Sequence, residues 1–215
     1  MKEKKRSHAP PSLAEEQTLR NKGYAFIAGM DEAGRGALAG PVVAAVVILP
    51  DSIAFPSLRD VRDSKELTPA KREYLYDAVR KEAVAVGIGI VPSPVIDRIN
   101  ILEATREAME AAIMDIPMKP DFLLIDALTI PRLPLPQKGI IRGDRLCLSI
   151  ACASIIAKVA RDRLMIEMDK SYPGYGMAKH KGYGTKQHID CLRKHGPCPI
   201  HRRSFSPVNG IQLSL

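Results

Sequence analysis

The side chains best suited to chemistry lie in Gly29-Met30-Asp31-Glu32-Ala33-Gly34-Arg35-Gly36, where an apolar run meets a glycine-rich turn. Inside a strand, Asp31 and Glu32 would point to opposite faces, and burying either is expensive. At a strand's end the backbone can bend so that both reach one cleft, where carboxylate oxygens suit a hard divalent cation. An Asp-Glu turn ahead of a loop is the plainer reading, and these residues alone leave both open. Gly34, Gly36 and Gly40 do not have the spacing of a dinucleotide fingerprint, and the next element reads as a strand, not a helix. A turn with so few side chains would let a nucleic-acid backbone approach the main chain, leaving Arg35 for phosphate or sugar. The alternative is a simple glycine turn.

Asp126 ends the apolar run Phe122–Ile125 as Asp31 ends the earlier one, and α/β clefts form at such strand ends. Asp144, within Arg142-Gly143-Asp144, precedes an Ala/Ile-rich helix and is equally readable as its N-cap. Ser154, Lys158 and Asp162 share one face of that helix at i, i+4 and i+8. Cys191, His195, Cys198 and His201 are zinc-type ligands, but their spacing matches none of the usual fingers, so ordinary core or surface residues are favoured.

The elements that must position these groups follow from periodicity. Ser12 ahead of Glu15 suggests a capping box and a helix to Asn21, stopped at Gly23. Tyr24–Met30, Pro41–Leu49 and Ala83–Val91 read as strands of an antiparallel meander, and Thr68-Pro69 starts a helix to about Glu82. Helix and strand then alternate: a helix over Asn100–Ile116, a strand at Phe122–Ile125, a second at Gly139–Ile141, and a helix over Leu146–Met168. A loop-rich region from Ser171 holds one more helix, Lys186–His195. The expected fold is α/β: a mixed central sheet, meander first and parallel strands after, helices on both faces and a helical C-terminal appendage. The chain divides into a basic tail with a short helix (1–22), a catalytic unit (23–208) and a C-terminal tail (209–215).

The chain has 215 residues, 46% hydrophobic and 26% charged, which excludes disorder throughout. Lys and Arg number 32 against 24 Asp and Glu, a net charge of +8 that favours a polyanionic partner such as nucleic acid. With no signal-peptide pattern in Met1–Pro11 and no apolar run of span length, the expectation is a cytoplasmic, membrane-free protein with reduced thiols. Nothing demands more than a monomer.

Seven segments together resemble ribonuclease HII of the ribonuclease H superfamily: GMDEAGRGALAGPVV at 29–43, RDSKEL at 62–67, LLIDAL at 123–128, RGD at 142–144, ASIIAKVARD at 153–162, HKGYGTKQH at 180–188 and HGPCPIHRRSF at 195–205. They stand in family order from Tyr24 to Val208. The resemblance implies a ribonuclease H-like fold with Asp31, Glu32, Asp126 and Asp144 as catalytic metal ligands. It implies Mn2+ or Mg2+, two ions once substrate is bound, and cleavage of RNA in RNA/DNA hybrids. It also implies cutting of duplex DNA 5′ of an embedded ribonucleotide, leaving 3′-hydroxyl and 5′-phosphate ends. By the same resemblance Gly34, Arg35 and Gly36 sense the 2′-hydroxyl, Tyr183 packs on the following deoxyribose, and Ser64, Lys65 and Lys158 contact nucleic acid. Ala37 replaces a common Pro, which should loosen the turn, and Arg142 a common Lys. Arg35 and the short leader separate the chain from the sister ribonuclease HIII. Gln212–Leu215 resembles the start of a sliding-clamp peptide without its final aromatic; clamp docking and a frayed tail are the two readings.

A second class fits the charge equally: a nucleic-acid-binding module with structural carboxylates. Four acidic groups beside a phosphate backbone repel it unless cations intervene, which favours the enzyme.

Overall fold

Val42–Ile48 is buried along its whole length, as expected of a run of valine and alanine covered on both faces. It is the second strand in a computed structural model that describes residues 9–51 and 55–211. Most of the basic tail (1–8) and the clamp-like Gln212–Leu215 lie outside the described residues.

In chain order the main elements are α1 (Ala14–Arg20), β1 (Ile27–Ala33), β2 (Val42–Ile48), α2 (Pro69–Glu82), β3 (Ala85–Val91) and α3 (Ser93–Met114). There follow β4 (Phe122–Asp126), β5 (Gln137–Ile140), α4 (Gly143–Leu146), α5 (Leu148–Ser171), α6 (Met177–His180) and α7 (Lys186–His195). The strands form one five-stranded sheet in the order β3-β2-β1-β4-β5. β1, β2 and β3 are antiparallel neighbours, whereas β4 runs parallel to β1 and β5 parallel to β4. This is the expected mixed sheet.

Its two faces carry different helices. Ala45 and Val47 pack with Ala151, Ile155 and Ile156 of α5, while Ala28, Met30, Ala44 and Val46 pack with Ala104, Ala108 and Ala112 of α3. The small residues let both helices approach closely. At Gly29 even a methyl group would overlap the backbone of Ser149, so α5 starts in direct contact with β1. Thr68 caps α2 by accepting from the Lys71 amide at 3.3 Å, with Pro69 in its first turn, as the sequence suggests.

Several boundaries differ from the sequence expectation. Leu13, not Ser12, is the N-cap of α1, and no capping box forms: Glu15 pairs with Lys138 instead. Glu16 turns inward, accepting from the amide and hydroxyl of Ser149, which ties α1 to α5. α3 begins at Ser93 and bends at Asn100 (φ 67°); the Asn100 carboxamide accepts from the amides of Leu102 and Glu103, capping the half that periodicity identified. The Ala/Ile helix starts at Leu148, because Cys147 is extended and separates it from α4. β1 runs three residues past Met30, because β2 gives it antiparallel partners as far as Ala33.

The C-terminal region is laced to the turn after β1. Leu38 donates to the Gly182 carbonyl at 2.8 Å, Gly40 to that of Ile200 at 2.8 Å, and the amide of Arg202 to Leu38 at 2.8 Å. Two fully buried arginines complete the lacing. Arg161 donates to the carbonyls of Pro41, Ala39 and Lys181, and Arg202 to those of Gly34, Arg35 and Gly40. Five donors in a rigid fork let each guanidinium gather carbonyls that would otherwise be buried unpaired.

The Gly29 contact sets where α5 meets β1. Gly29→Ala should lower unfolding free energy by about 3 kcal/mol, read as a shifted urea midpoint; an unchanged midpoint would show that α5 can retreat without loss.

Candidate active site

The parallel pairing of β1 with β4 ends at Met30 and Ile125, so the next residues, Asp31 and Asp126, stand level on adjacent central strands, Asp126 at the end of β4 and Asp31 two residues before the end of β1. Alternation decides direction: Leu124 packs with Ile150 on the α5 face, so Asp126 faces α5, as does Asp31. Asp126 accepts from the Gly143 amide at 2.7 Å, which holds the start of α4, and with it Asp144, against the strand ends.

Asp31 and Glu32 do not need a bend at a strand end: both remain within β1, yet each feels the charge of Asp126, and the Glu32 amide donates to Asp31 Oδ1 at 2.7 Å. Asp144 is not an N-cap: that position is Arg142, in a left-handed conformation, and Asp144 lies in the first turn of α4.

The group is electrostatically strained. Burial, then the charges of Glu32 and Asp126, push Asp31 well above the ordinary carboxylate range, against a hydrogen bond from Ser154. Burial raises Glu32 against the opposing pull of Arg35, whose Nη1 lies 3.2 Å from Glu32 Oε1. Asp144 is pushed up to about 6 by burial and by Asp63 and Asp126. Lys65 Nζ stands 4.0 Å from Asp144 Oδ2. Glu32 Oε2 is buried without a hydrogen-bond partner among the described residues. Also among the described residues, no three His, Cys, Asp or Glu side chains close into a finished metal cage. Carboxylates this mutually repulsive do not close on one another without positive charge between them. An orphaned oxygen and raised carboxylates are what a divalent cation would satisfy, so the donor set fits a hard ion with oxygen ligands.

The other sequence-predicted residues surround this group. Gly34 takes φ +97°, and a side chain there would overlap the Arg161 guanidinium, so the turn needs glycine for both conformation and space. Gly36 has open space beside it. Ala37, expected to loosen the turn, donates its amide to the Gly34 carbonyl at 3.3 Å, a bond that Pro could not make. Tyr183 is exposed at the rim, its ring against Arg161 and Lys158 (5.3 and 5.7 Å from the centroid). Lys158 pairs with Asp162 at 2.7 Å and, with Arg72, Lys179 and Lys181, lines a cavity of about 340 Å³ ending at Tyr183. Ser64 turns inward: its hydroxyl is 3.0 Å from that of Ser154, the residue that reaches Asp31. Lys65 is exposed.

Cys191, His195, Cys198 and His201 do not gather. His201 pairs with His188 and Cys198, while His195 lies edge-on to Tyr175. The sequence reading assigned no role to Arg161 or Arg202. The only signal for Arg161 was a cation among the alanines and isoleucines of an otherwise buried helix.

Residues 28–208 match the family Ribonuclease HII. Ribonuclease HII of Dehalococcoides mccartyi is 57% identical over 201 residues, which cover 94% of this chain and 95% of that one. Ribonuclease HII of Desulfitobacterium hafniense is 56% identical over 196 residues, 91% of this chain and 74% of its own. Among solved structures, ribonuclease H2 of Pyrococcus horikoshii superposes with a TM-score of 0.70 at 29% identity, covering 86% of this chain and 96% of that one. Ribonuclease HII in a complex with PCNA from Archaeoglobus fulgidus gives 0.70 at 26% identity, covering 88% and 98%. Sheet order and neighbours define a ribonuclease H-like fold, a class whose enzymes depend on metal. Within it, the chain belongs to the ribonuclease HII family: an endoribonuclease of the ribonuclease H type, which degrades the RNA of RNA/DNA hybrids.

Charge repulsion predicts a stability effect. Asp144 titrates near 6 when folded and near 3.8 when unfolded, so its contribution is fully present below pH 4 and lost as pH rises through 6. Asp144→Asn should therefore stabilise the ion-free protein above pH 7 by about 2 kcal/mol, raising Tm by a few degrees, with no gain at pH 4. Added Mg2+ should narrow the gap; a variant no more stable than wild type at pH 8 would contradict the repulsion.

Proposed function

We propose that this chain cuts the RNA strand of RNA/DNA hybrids and nicks duplex DNA on the 5′ side of an embedded ribonucleotide, leaving 3′-hydroxyl and 5′-phosphate ends. Its place is then in ribonucleotide removal and RNA primer processing, with 23–208 as the catalytic unit. One observation carries the reading: acidic groups in the last residues of β1 and at the end of β4 lie beside a glycine turn that is hydrogen-bonded to the Tyr183 loop.

Asp31, Glu32, Asp126 and Asp144 would hold Mg2+ or Mn2+, two ions with substrate in place. Bound there, such ions activate water and stabilise charge on the leaving oxygen. The chain's own groups do the rest. The Asp126–Gly143 hydrogen bond keeps Asp144 at the strand ends, and Ser154, backed by Ser64, holds Asp31. Ser64 then serves through Asp31, not by touching phosphate. Gly34 and Gly36 bring main chain to the minor groove, where a 2′-hydroxyl can be both donor and acceptor. Arg35 is held on Glu32 and is close enough to exchange that carboxylate for a sugar or phosphate. The Tyr183 ring would lie on the sugar after the cut, where an extra hydroxyl is disfavoured, while Lys65 and Lys158 face phosphates. The A. fulgidus neighbour is a PCNA complex, and Gln212–Leu215 is the segment we would assign to a weak clamp contact here.

The test is a duplex with one ribonucleotide, assayed with Mg2+ and Mn2+, with end-group analysis of the products. Wild type should nick once, 5′ of the ribonucleotide, and Asp126→Asn should lose about a thousandfold in rate. Tyr183→Ala should weaken junction preference more than ion binding. Equal losses on uniform hybrid and single-ribonucleotide substrates would overturn the Tyr183 role, and a binding-only protein would leave both substrates intact.

A further inference from the structure

Within the Tyr183 loop the Tyr183 amide donates to the His180 carbonyl at 3.0 Å and its carbonyl accepts from the Thr185 amide at 2.8 Å. Lys181 takes a left-handed backbone conformation, φ 53°, as does Gly182 at 78°, and for a lysine that conformation needs support from its surroundings. Three buried imidazoles lie behind the loop: His180, His188 and His201. The Tyr183 carbonyl can only accept, and His188 Nδ1 lies 3.0 Å from it, so Nδ1 carries the proton. In a neutral ring His188 Nε2 is then an acceptor, and His201 Nε2, 3.0 Å away, must donate to it. His201 Nδ1 in turn accepts from the Cys198 amide at 3.0 Å, with the Cys198 Sγ at 3.1 Å. Only this pair of tautomers satisfies every group from Cys198 to Tyr183. His180 stacks on His188 with centroids 4.4 Å apart and planes at 17°, donating to the Tyr175 carbonyl at 2.8 Å and accepting from Gly182 at 3.2 Å. Burial lowers the pKa of His188 and takes His201 down to about 4, so both rings are neutral near pH 7.

These groups have no path to the scissile phosphate, since the described hydrogen bonds of His188 and His201 end on backbone, on Cys198 and on each other. We propose that His188 and His201 are positioning residues for Tyr183, fixing its main chain so that its ring discriminates a deoxyribose from a ribose on the 3′ side of the cut. The proposal rests on the role given to Tyr183 above. The ring needs such fixing because its own contacts, with Arg161 and Lys158, are a cationic backing without directional bonds.

The experiment compares rates on single-ribonucleotide duplex and on uniform hybrid, taking their ratio as the readout and Mn2+ affinity by calorimetry as control. His188→Leu should lower the ratio about tenfold with Mn2+ affinity unchanged. His188→Asn, whose amide nitrogen stands near the Nδ1 position, should recover most of it; His188→Gln, which reaches the Nε2 position, should not. In Tyr183→Ala the ratio is already lost, and adding His188→Leu should lower it no further. An unchanged ratio in His188→Leu, equal recovery by Asn and Gln, or an additive double variant would overturn the proposal while the Tyr183→Ala effect still stood. If His188→Leu does not fold, the Asn–Gln comparison decides alone. If Tyr183→Ala leaves the ratio intact, the reading of Tyr183 falls, and this proposal with it.

Discussion

Carboxylates that repel one another stay together only if something stronger holds them, and this fold supplies that where the pairing of β1 with β4 ends. Asp31 and Asp126 are placed by backbone pairing, and Asp144 by a short helix that Asp126 itself anchors. None of these placements depends on attraction between the side chains. The strain appears as raised carboxylates and an orphaned Glu32 oxygen, and is sustained by the apolar packing of β2, α3 and α5. Functional sites commonly trade stability for readiness in this way.

The recognition surface is stabilised differently. A glycine turn and a loop with successive left-handed residues have little intrinsic rigidity, so their shape comes from Arg161, Arg202 and the histidines behind them. Each buried arginine collects three carbonyls. Because the two loops share these braces and bond to each other, a 2′-hydroxyl contact at Gly34–Gly36 and a sugar contact at Tyr183 are held in fixed relation. The neutral histidines complete the bracing without adding charge to an already cationic corner.

Much of this could be read from the residues alone. The runs at β1, β2 and β3 follow their β-branched and small residues, and α2 and α7 their caps and periodicity. The ends were harder. β1 extends through two carboxylates because β2 continues to offer partners, a pairing that no local pattern encodes. Asn100 joins two helices where periodicity shows only the second. The acidic residues could be located as strand-end groups, but not which way they point, because that depends on register. Arg161, Arg202 and His188 carry no role in the sequence reading because polar side chains usually mark surface, and His201 reads there only as one of four zinc-type ligands. The arginines are buried because loop carbonyls needed donors, a demand visible only after chain segments over a hundred residues apart have met, and the histidines because the loop they back folds over them.

Mutual repulsion at the strand ends is tested most directly by proton release on ion binding. Mn2+ should be titrated calorimetrically at pH 6 in buffers of differing ionisation enthalpy. Asp144, near 6, is about half protonated there, and Asp31 sits high as well. The account predicts release of about half a proton or more on binding, reduced in Asp144→Asn. Binding of Mn2+ with no release of protons would contradict it.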